Sequence, residues 1–405
     1  MKPLFRARPA MTETTHRATS FEIFFDLVFI FALTRITTFM GHPPTPLTLA
    51  QGFILLLLLW IAWTNYTWLG NQARADIGLI RGGSTVAMAA VFLIALVIPD
   101  AWQRGAGFVP TPLTLALAYI VLTAMHLALY FYAATGDRRL RMTVTLYATT
   151  TSLAWIPLIL GAVFNGTAQT LLWAAAFVIN YAGGFLASTL SGWRLRTPSH
   201  FTERHGLVLI IAFGESLVST GFGAGPAVAR EPVMAAALLA FITAVCLWWL
   251  YFKNSAVTAG EALARMPTGR RDRVATNAYS LAHFPMIAGV IYLALGIEQV
   301  LEDLAHNQAR HVAGTPLGWT STVALYGGAI LYLIGRAMFL RFAAGFIPLV
   351  QLVALGALLL LLPTARILPS LPALGLLTAS LVALVFYERF SGGEQDLTAD
   401  ETADV

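Results

Sequence analysis

Long, almost uninterrupted hydrophobic runs make up most of this chain, and short polar or Pro/Gly-rich stretches such as "GHPPTP" and "GFGAGP" separate them. Runs of about 20 apolar residues can cross the roughly 30 Å hydrocarbon core of a bilayer as α-helices. The pattern predicts an all-α polytopic membrane protein with about twelve transmembrane helices, at 20–39, 47–69, 83–99, 111–133, 142–163, 169–189, 205–223, 232–252, 277–297, 317–340, 344–362 and 370–388.

The composition agrees with this pattern. Hydrophobic residues make up 58% of the 405 residues, and only 11% are charged, against about 25% in soluble domains. The lipid bilayer is therefore the first predicted partner. The single cysteine, Cys246, excludes an internal disulfide, and no His/Cys spacing typical of a metal site occurs. We expect no cofactor and no bound metal.

The basic residues indicate an orientation. Of the 25 Lys and Arg, 19 fall on the side of the N-terminus, four fall on the other side, and two lie within spans. By the positive-inside rule both termini are cytoplasmic. The net charge of +5 is thereby explained by topology, and nucleic acid is not an expected partner.

Two stretches suggest an internal repeat. "FEIFFDLVFIFALTRI" aligns without gaps on "TERHGLVLIIAFGESL", and "AWTNY" in the next span aligns on "LWWLY". We predict two parallel six-helix repeats, related by an axis along the membrane normal. The predicted organisation is a cytoplasmic N-terminal arm (1–19), two six-helix halves (20–190 and 191–390) and a disordered acidic cytoplasmic tail (391–405).

The same stretches carry a family resemblance. "FFDLVFIFALT" after Glu22, together with "HFTERHGLVLIIAFGESL", resembles the two signatures of the bacterial low temperature requirement protein A (LtrA) family. The resemblance covers about residues 21–388 and implies a multi-pass protein of the bacterial inner membrane whose activity is poorly defined. The family usually has glutamine at the position of Arg35, so this chain departs there.

The first span contains two acids, Glu22 and Asp26. An ionised side chain near the bilayer centre costs roughly 2.5–3.5 kcal/mol on insertion scales. Thr19 and Glu22 have the spacing of a capping box, which favours a structural role for Glu22 over a functional one. Asp26 lies one turn further on the same face. The two acids form either a proton-handling pair or, for Asp26, a structural pair with an arginine of another helix.

Glu215 is the strongest candidate for ion or substrate binding. It lies about ten residues into the seventh predicted span, hence near the bilayer midplane, and Gly214 beside it leaves room for a ligand. The alternative is a neutral acid that is hydrogen bonded between helices. His126 and Arg336 fall at related positions of the two halves and complete the predicted binding set.

The remaining polar candidates belong to gating or interface positions. Glu203, Arg204 and His205 open the seventh span at its cytoplasmic edge, where they form either a gate or ion-pair latch, or ordinary caps and headgroup contacts. Arg35 projects from the helix face opposite Asp26 and extends outward to the interface.

These residues favour a secondary transporter that couples proton or cation movement to an unknown small solute, with Asp26 and Glu215 near the axis between the halves. A cation channel and a membrane-embedded lipid-active enzyme are the alternatives, although no "TVGYG" filter, P-loop, "HExxH" or nucleophile elbow occurs. An enzyme is therefore the less favoured class. The oligomeric state is left open by the sequence.

Overall fold

Helices account for nearly all of the backbone in the computed structural model. The structure describes residues 9–13, 16–41, 43–103, 108–190, 193–306 and 313–403, and within these ranges only the backbone is described for residues 219, 222–224, 226, 264 and 391–403. In the described ranges the helices are α1 (Ser20–Met40), α2 (Pro46–Gln72), α3 (Gly78–Val97), α4 (Thr111–Ala133), α5 (Arg138–Phe164), α6 (Gly166–Leu190), α7 (Pro198–Ala224), α8 (Glu231–Trp249), α9 (Ala256–Arg265), α10 (Thr268–Val274), α11 (His283–His306), α12 (Trp319–Thr322), α13 (Gly328–Ala343), α14 (Leu349–Ile367) and α15 (Ser370–Ala403).

The transmembrane pattern is confirmed. Among the described residues, eleven helical segments are long and apolar enough to cross a membrane, and each overlaps one predicted span. The remaining predicted span, 205–223, lies within α7. Isolated β-bridges, and no strands, accompany these helices in the described part of the chain. The all-α polytopic prediction therefore agrees with the structure.

One predicted loop is helical. The sequence predicts a connection at 253–276, but α9 and α10 lie there, and π-helical turns at Leu250–Ser255 and Ala275–Leu281 adjoin the flanking helices. Residues such as Glu, Ala, Leu and Arg have high helix propensity. The helix therefore continues beyond the apolar span, and hydropathy alone places the boundary too early.

The chain divides into two compact units. The first contains residues 1–211 and 263–280. In it, α1 packs against α2 and α3, α3 packs against α4, and α5 packs against α6. The π-helical turn before α11 joins this unit through Ser280, which accepts a hydrogen bond from Trp60 Nε1 at 2.7 Å and one from Trp68 Nε1 at 3.0 Å.

The second unit contains residues 212–262 and 281–405. Its central helix is α11, which packs against α8, α13 and α15. Helix α14 packs against α15. Helices α11 and α13 approach closely because Gly289 faces the backbone of Gly328 and Tyr332; a Cβ at Gly289 would lie 2.6 Å from Gly328 O and Tyr332 N.

Several predictions of domain organisation and topology stay predictions. These are the two parallel repeats, the halves at 20–190 and 191–390, and the cytoplasmic side of both termini. Helix α15 is continuous to Ala403, but its side chains after Phe390 lie outside the described set. Residues 1–8 and 14–15 of the predicted arm, and residues 404–405 of the predicted disordered tail, also lie outside it.

Candidate functional site

The N-terminal end of α1 is fixed by a capping box. Thr19 Oγ1 accepts a hydrogen bond from Glu22 N at 3.3 Å, and Glu22 Oε2 accepts one from Thr19 N at 3.0 Å. This confirms the capping interpretation of Glu22. Only one of its two carboxylate oxygens is used in the cap, so Oε1 remains available for another helix.

The first turns of α7 supply the partner of both acids. Arg204 Nη1 donates to Glu22 Oε1 at 3.0 Å, and Arg204 Nε donates to Asp26 Oδ2 at 3.0 Å. A further bond, from Nη2 to Asp26 Oδ1, is 2.5 Å long. All three residues are buried, Asp26 completely. The guanidinium of Arg204 therefore lies between the carboxylates of Glu22 and Asp26. From the sequence, these two acids are expected only to share one face of α1.

His200 and Trp63 complete this charge cluster. His200 Nε2 lies 2.9 Å from Glu22 Oε1, and the His200 side chain is fully buried. Trp63 Nε1, on α2, donates to Asp26 Oδ1 at 2.8 Å, and the Arg204 guanidinium carbon lies 5.9 Å from the centroid of the Trp63 ring. We name Glu22, Asp26, Trp63, His200 and Arg204 the α1–α7 charge cluster.

The cluster is chemically asymmetric. When both carboxylates are ionised, they carry two negative charges against one guanidinium, and His200 is the remaining side chain that can add a positive charge. A buried charge without compensation costs several kcal/mol. With both acids ionised, the cluster therefore carries one negative charge more than Arg204 alone can neutralise.

The gating candidates divide into two groups. The predicted position of Arg204 at the cytoplasmic edge of the membrane stays a prediction. Its side chain is buried at 1% exposure, where the acids of α1 neutralise it. His205 is also buried; its ring lies 5.0 Å from Trp63 and 4.5 Å from Phe201, centroid to centroid. Glu203 is the more exposed member.

Glu203 ties the segment before α1 to α7. It accepts a hydrogen bond from Ala18 N at 3.0 Å, and Arg17 Nη1 lies 3.5 Å from its carboxylate. Arg35, in contrast, is partly exposed near the far end of α1, where its nearest polar contact is Thr38 Oγ1 at 3.5 Å. Arg35 and the charge cluster are thus separate features of α1.

Glu215 lies in the second unit and is partly exposed. It has no hydrogen bond to any side chain within the described ranges. Its neighbours Ser216 and Thr220 line an apolar cavity of about 10 Å³, which holds no more than about one water molecule. Glu215 does not line this cavity, so its predicted role as a binding residue stays a prediction.

Arg336 is buried in the second unit, and all three of its guanidinium nitrogens donate hydrogen bonds. Its Nη1 and Nη2 donate to Glu388 at 2.7 and 2.8 Å, and Nη1 also donates to Gln351 Oε1 at 2.8 Å. Nε donates to Ser255 Oγ at 2.8 Å and to the carbonyl of Leu250 at 3.1 Å. This geometry is that of a structural tie between α13 and α15.

His126 lies in an aromatic pocket of the first unit. Its ring centroid is 5.4 Å from Tyr66, 5.4 Å from Tyr130 and 6.3 Å from Tyr147. Its Nε2 has no hydrogen-bond partner among the described residues. The contacts are those of a core histidine, and the predicted pairing of His126 with Arg336 through the repeat is untested.

Sequence reasoning missed His200, Trp63 and Glu388. For His200, the sequence contains a signal that could have identified it. His200 and Arg204 are separated by four residues at the start of α7, and Glu22 and Asp26 are separated by four residues at the start of α1. Two complementary pairs with the same spacing on two helices can meet side by side. Trp63 and Glu388 have no comparable signal.

Comparisons with known proteins identify the family. An uncharacterized protein of Rhizobium meliloti (strain 1021) is similar to this chain, with 27% identity over 340 residues that cover 81% of this chain and 78% of the relative. No solved structure matches the chain. The family model described as "Bacterial low temperature requirement A protein (LtrA)" matches residues 17–386, and this chain therefore belongs to the LtrA family.

Proposed function

We propose that this membrane protein is a secondary transporter, and that the α1–α7 charge cluster binds the proton or cation whose movement is coupled to an unknown small solute. The observation that carries the proposal is the sharing of one buried guanidinium by two buried carboxylates, Glu22 and Asp26. Ionisable groups inside a membrane protein commonly mark ion pathways.

The location of the cluster supports a coupling role. Its acids belong to α1, and its basic side chains, His200 and Arg204, belong to α7. A cation that enters the cluster competes with Arg204 for Glu22 or Asp26, so binding weakens a contact between two helices. A ligand can shift a conformational equilibrium only through such a difference in affinity between states. Replacement of Arg204 by a cation at Glu22 or Asp26 supplies that difference in affinity.

The test is transport in liposomes. The purified protein is reconstituted, gradients of H⁺, Na⁺ and K⁺ are imposed one at a time, and flux is followed with ion-sensitive dyes. We expect flux with the wild type and its loss in Asp26→Asn, which keeps the size of the side chain but removes its charge. Glu231→Gln is the matched control, because Glu231 is an exposed acid at the start of α8.

Two results contradict the proposal. Full flux in correctly folded Asp26→Asn would remove the cluster from the pathway, and absence of flux with the wild type under every gradient would remove coupled ion movement. Glu215→Gln, tested in parallel, separates the charge cluster from the other predicted acid. Unitary current steps in a planar bilayer would replace the transporter by a channel.

A further inference from the structure

We propose that His16, His200 and Glu22 form a binding site for a divalent transition-metal ion, with Zn²⁺ as the ion that best suits the ligands. One possible ligand atom from each of the three side chains lies within 4.8 Å of the other two. Two imidazole nitrogens and one carboxylate oxygen are a common protein ligand set for Zn²⁺ and leave a fourth position open to water.

Both histidines have an uncommitted nitrogen. His200 is fully buried, its Nε2 contacts Glu22, and its Nδ1 has no hydrogen-bond partner among the described residues. His16 Nε2 is likewise buried without a partner in the described part of the chain. A buried polar atom without a partner is energetically unfavourable. A metal ion bound at such a nitrogen accepts its free lone pair and so satisfies that atom.

The segment that contains His16 is held in place next to α7. Met11 pairs with Ala73 in a β-bridge, and Thr12 Oγ1 donates to the carbonyl of Gly70 at 2.8 Å. The carbonyl of Glu13 accepts hydrogen bonds from His16 N at 3.1 Å and from Thr197 Oγ1 at 2.9 Å. The ring centroids of His16 and His200 are consequently only 5.2 Å apart.

The local charge favours a cation, although one competitor is present. Glu22 Oε1 also accepts from Arg204 Nη1 at 3.0 Å, so a metal ion shares this oxygen with a guanidinium. Asp26 neutralises Arg204 from its other side, and Glu22 then supplies the remaining negative charge. We therefore expect a weaker affinity than in a structural site with four protein ligands.

This inference does not depend on the proposed function. Metal binding is measured on the purified protein without any transport, and flux can be lost or present whatever the metal result. His16 is outside the α1–α7 charge cluster, so a variant at His16 removes a metal ligand while the ion pairs of Arg204 remain intact.

The experiment measures Zn²⁺ on the full-length protein in detergent, purified through an affinity tag that contains no histidine and stripped with a chelator. Metal content after equilibrium dialysis gives the stoichiometry, and competition with a chromophoric chelator gives the affinity. The variants are His16→Ala and His200→Gln, and the matched control is His306→Ala, since His306 is an exposed histidine of the second unit.

We expect one Zn²⁺ per chain with the wild type and with His306→Ala, and an affinity at least about tenfold weaker with His16→Ala and His200→Gln. Zn²⁺ should also raise the thermal unfolding temperature of the wild type but not that of His16→Ala. No stoichiometric binding by the wild type, or equal binding by His16→Ala, would overturn the proposal. If His200→Gln does not fold, His16→Ala and its unfolding temperature decide the question alone.

Discussion

Arg204 and Asp26 join α7 to α1 through two hydrogen bonds, from Nε to Oδ2 at 3.0 Å and from Nη2 to Oδ1 at 2.5 Å. The two residues are 178 positions apart in the sequence and both are buried. Because both side chains are buried away from water, the contribution of each to the free energy of unfolding depends on the presence of the other. This relationship governs the behaviour expected of variants in the first unit.

Removal of Arg204 alone should destabilise the protein strongly. Arg204→Met leaves Glu22 and Asp26 buried without their cation, and breaking a buried ion pair costs about 3–5 kcal/mol. The double variant Arg204→Met/Asp26→Leu should be more stable than the sum of its single changes predicts, by about 0.5–3 kcal/mol. Reversible unfolding in mixed micelles measures all four states of this cycle. Strict additivity would mean that the two side chains are not coupled.

The indole of Trp63 should contribute a hydrogen bond to a charged acceptor. Trp63→Phe removes the donor to Asp26 Oδ1 and should lower the free energy of unfolding by about 1.5–3 kcal/mol. Trp155→Phe provides the comparison, because Trp155 Nε1 donates to the neutral Thr123 Oγ1 at 3.0 Å and should cost about 0.5–1.5 kcal/mol. Equal losses in the two variants would contradict ionisation of Asp26.

Arg336 should not be replaceable by lysine. Arg336→Lys keeps the positive charge but cannot make the paired hydrogen bonds to Glu388 together with those to Ser255 and Gln351. We expect a loss of about 1.5–3 kcal/mol in unfolding free energy. Arg341→Lys is the control, since the contact of Arg341 with the carbonyl of Gly345 is exposed. A similar melting temperature for both variants would rule out a special role of Arg336.

The close approach of α11 and α13 should depend on glycine. Gly289→Ala places a Cβ 2.6 Å from the backbone of α13, and the helices must separate, at a cost of about 1–3 kcal/mol. Gly356→Ala on α14 meets no atom within 4 Å and should be neutral or slightly stabilising, because alanine favours helix. Thermal unfolding of the two variants, side by side, tests this contrast. Equal melting temperatures would show that the contact can relax without cost.

The membrane architecture could be predicted from the sequence, because a run of about 20 apolar residues has few alternatives in a bilayer. The cap of Glu22 was equally accessible, since its partner Thr19 is three residues away. Both predictions use only local information, and the structure agrees with both. The chain is accordingly an integral membrane protein, as its LtrA family membership also indicates.

The partners of the buried charges could not be predicted with the same rules. Hydropathy begins the seventh span at residue 205, just after Arg204, and so treats Arg204 as interfacial, whereas α7 begins at Pro198. Burial of this arginine depends on acids from another helix that neutralise it, and its partner Asp26 lies 178 residues earlier. The same limit applies to Arg336, whose carboxylate partner is on the last helix.

The arrangement around Arg336 has a consequence for biosynthesis. Glu388 lies 52 residues after Arg336, and a ribosome that adds about 5–20 residues per second needs roughly 3–10 s to reach it. During that interval α13 carries a charge that its final counter-ion cannot yet neutralise. We therefore expect nascent chains to be vulnerable to degradation between the synthesis of α13 and that of α15. A premature stop codon before Glu388 leaves a product that membrane quality control should remove.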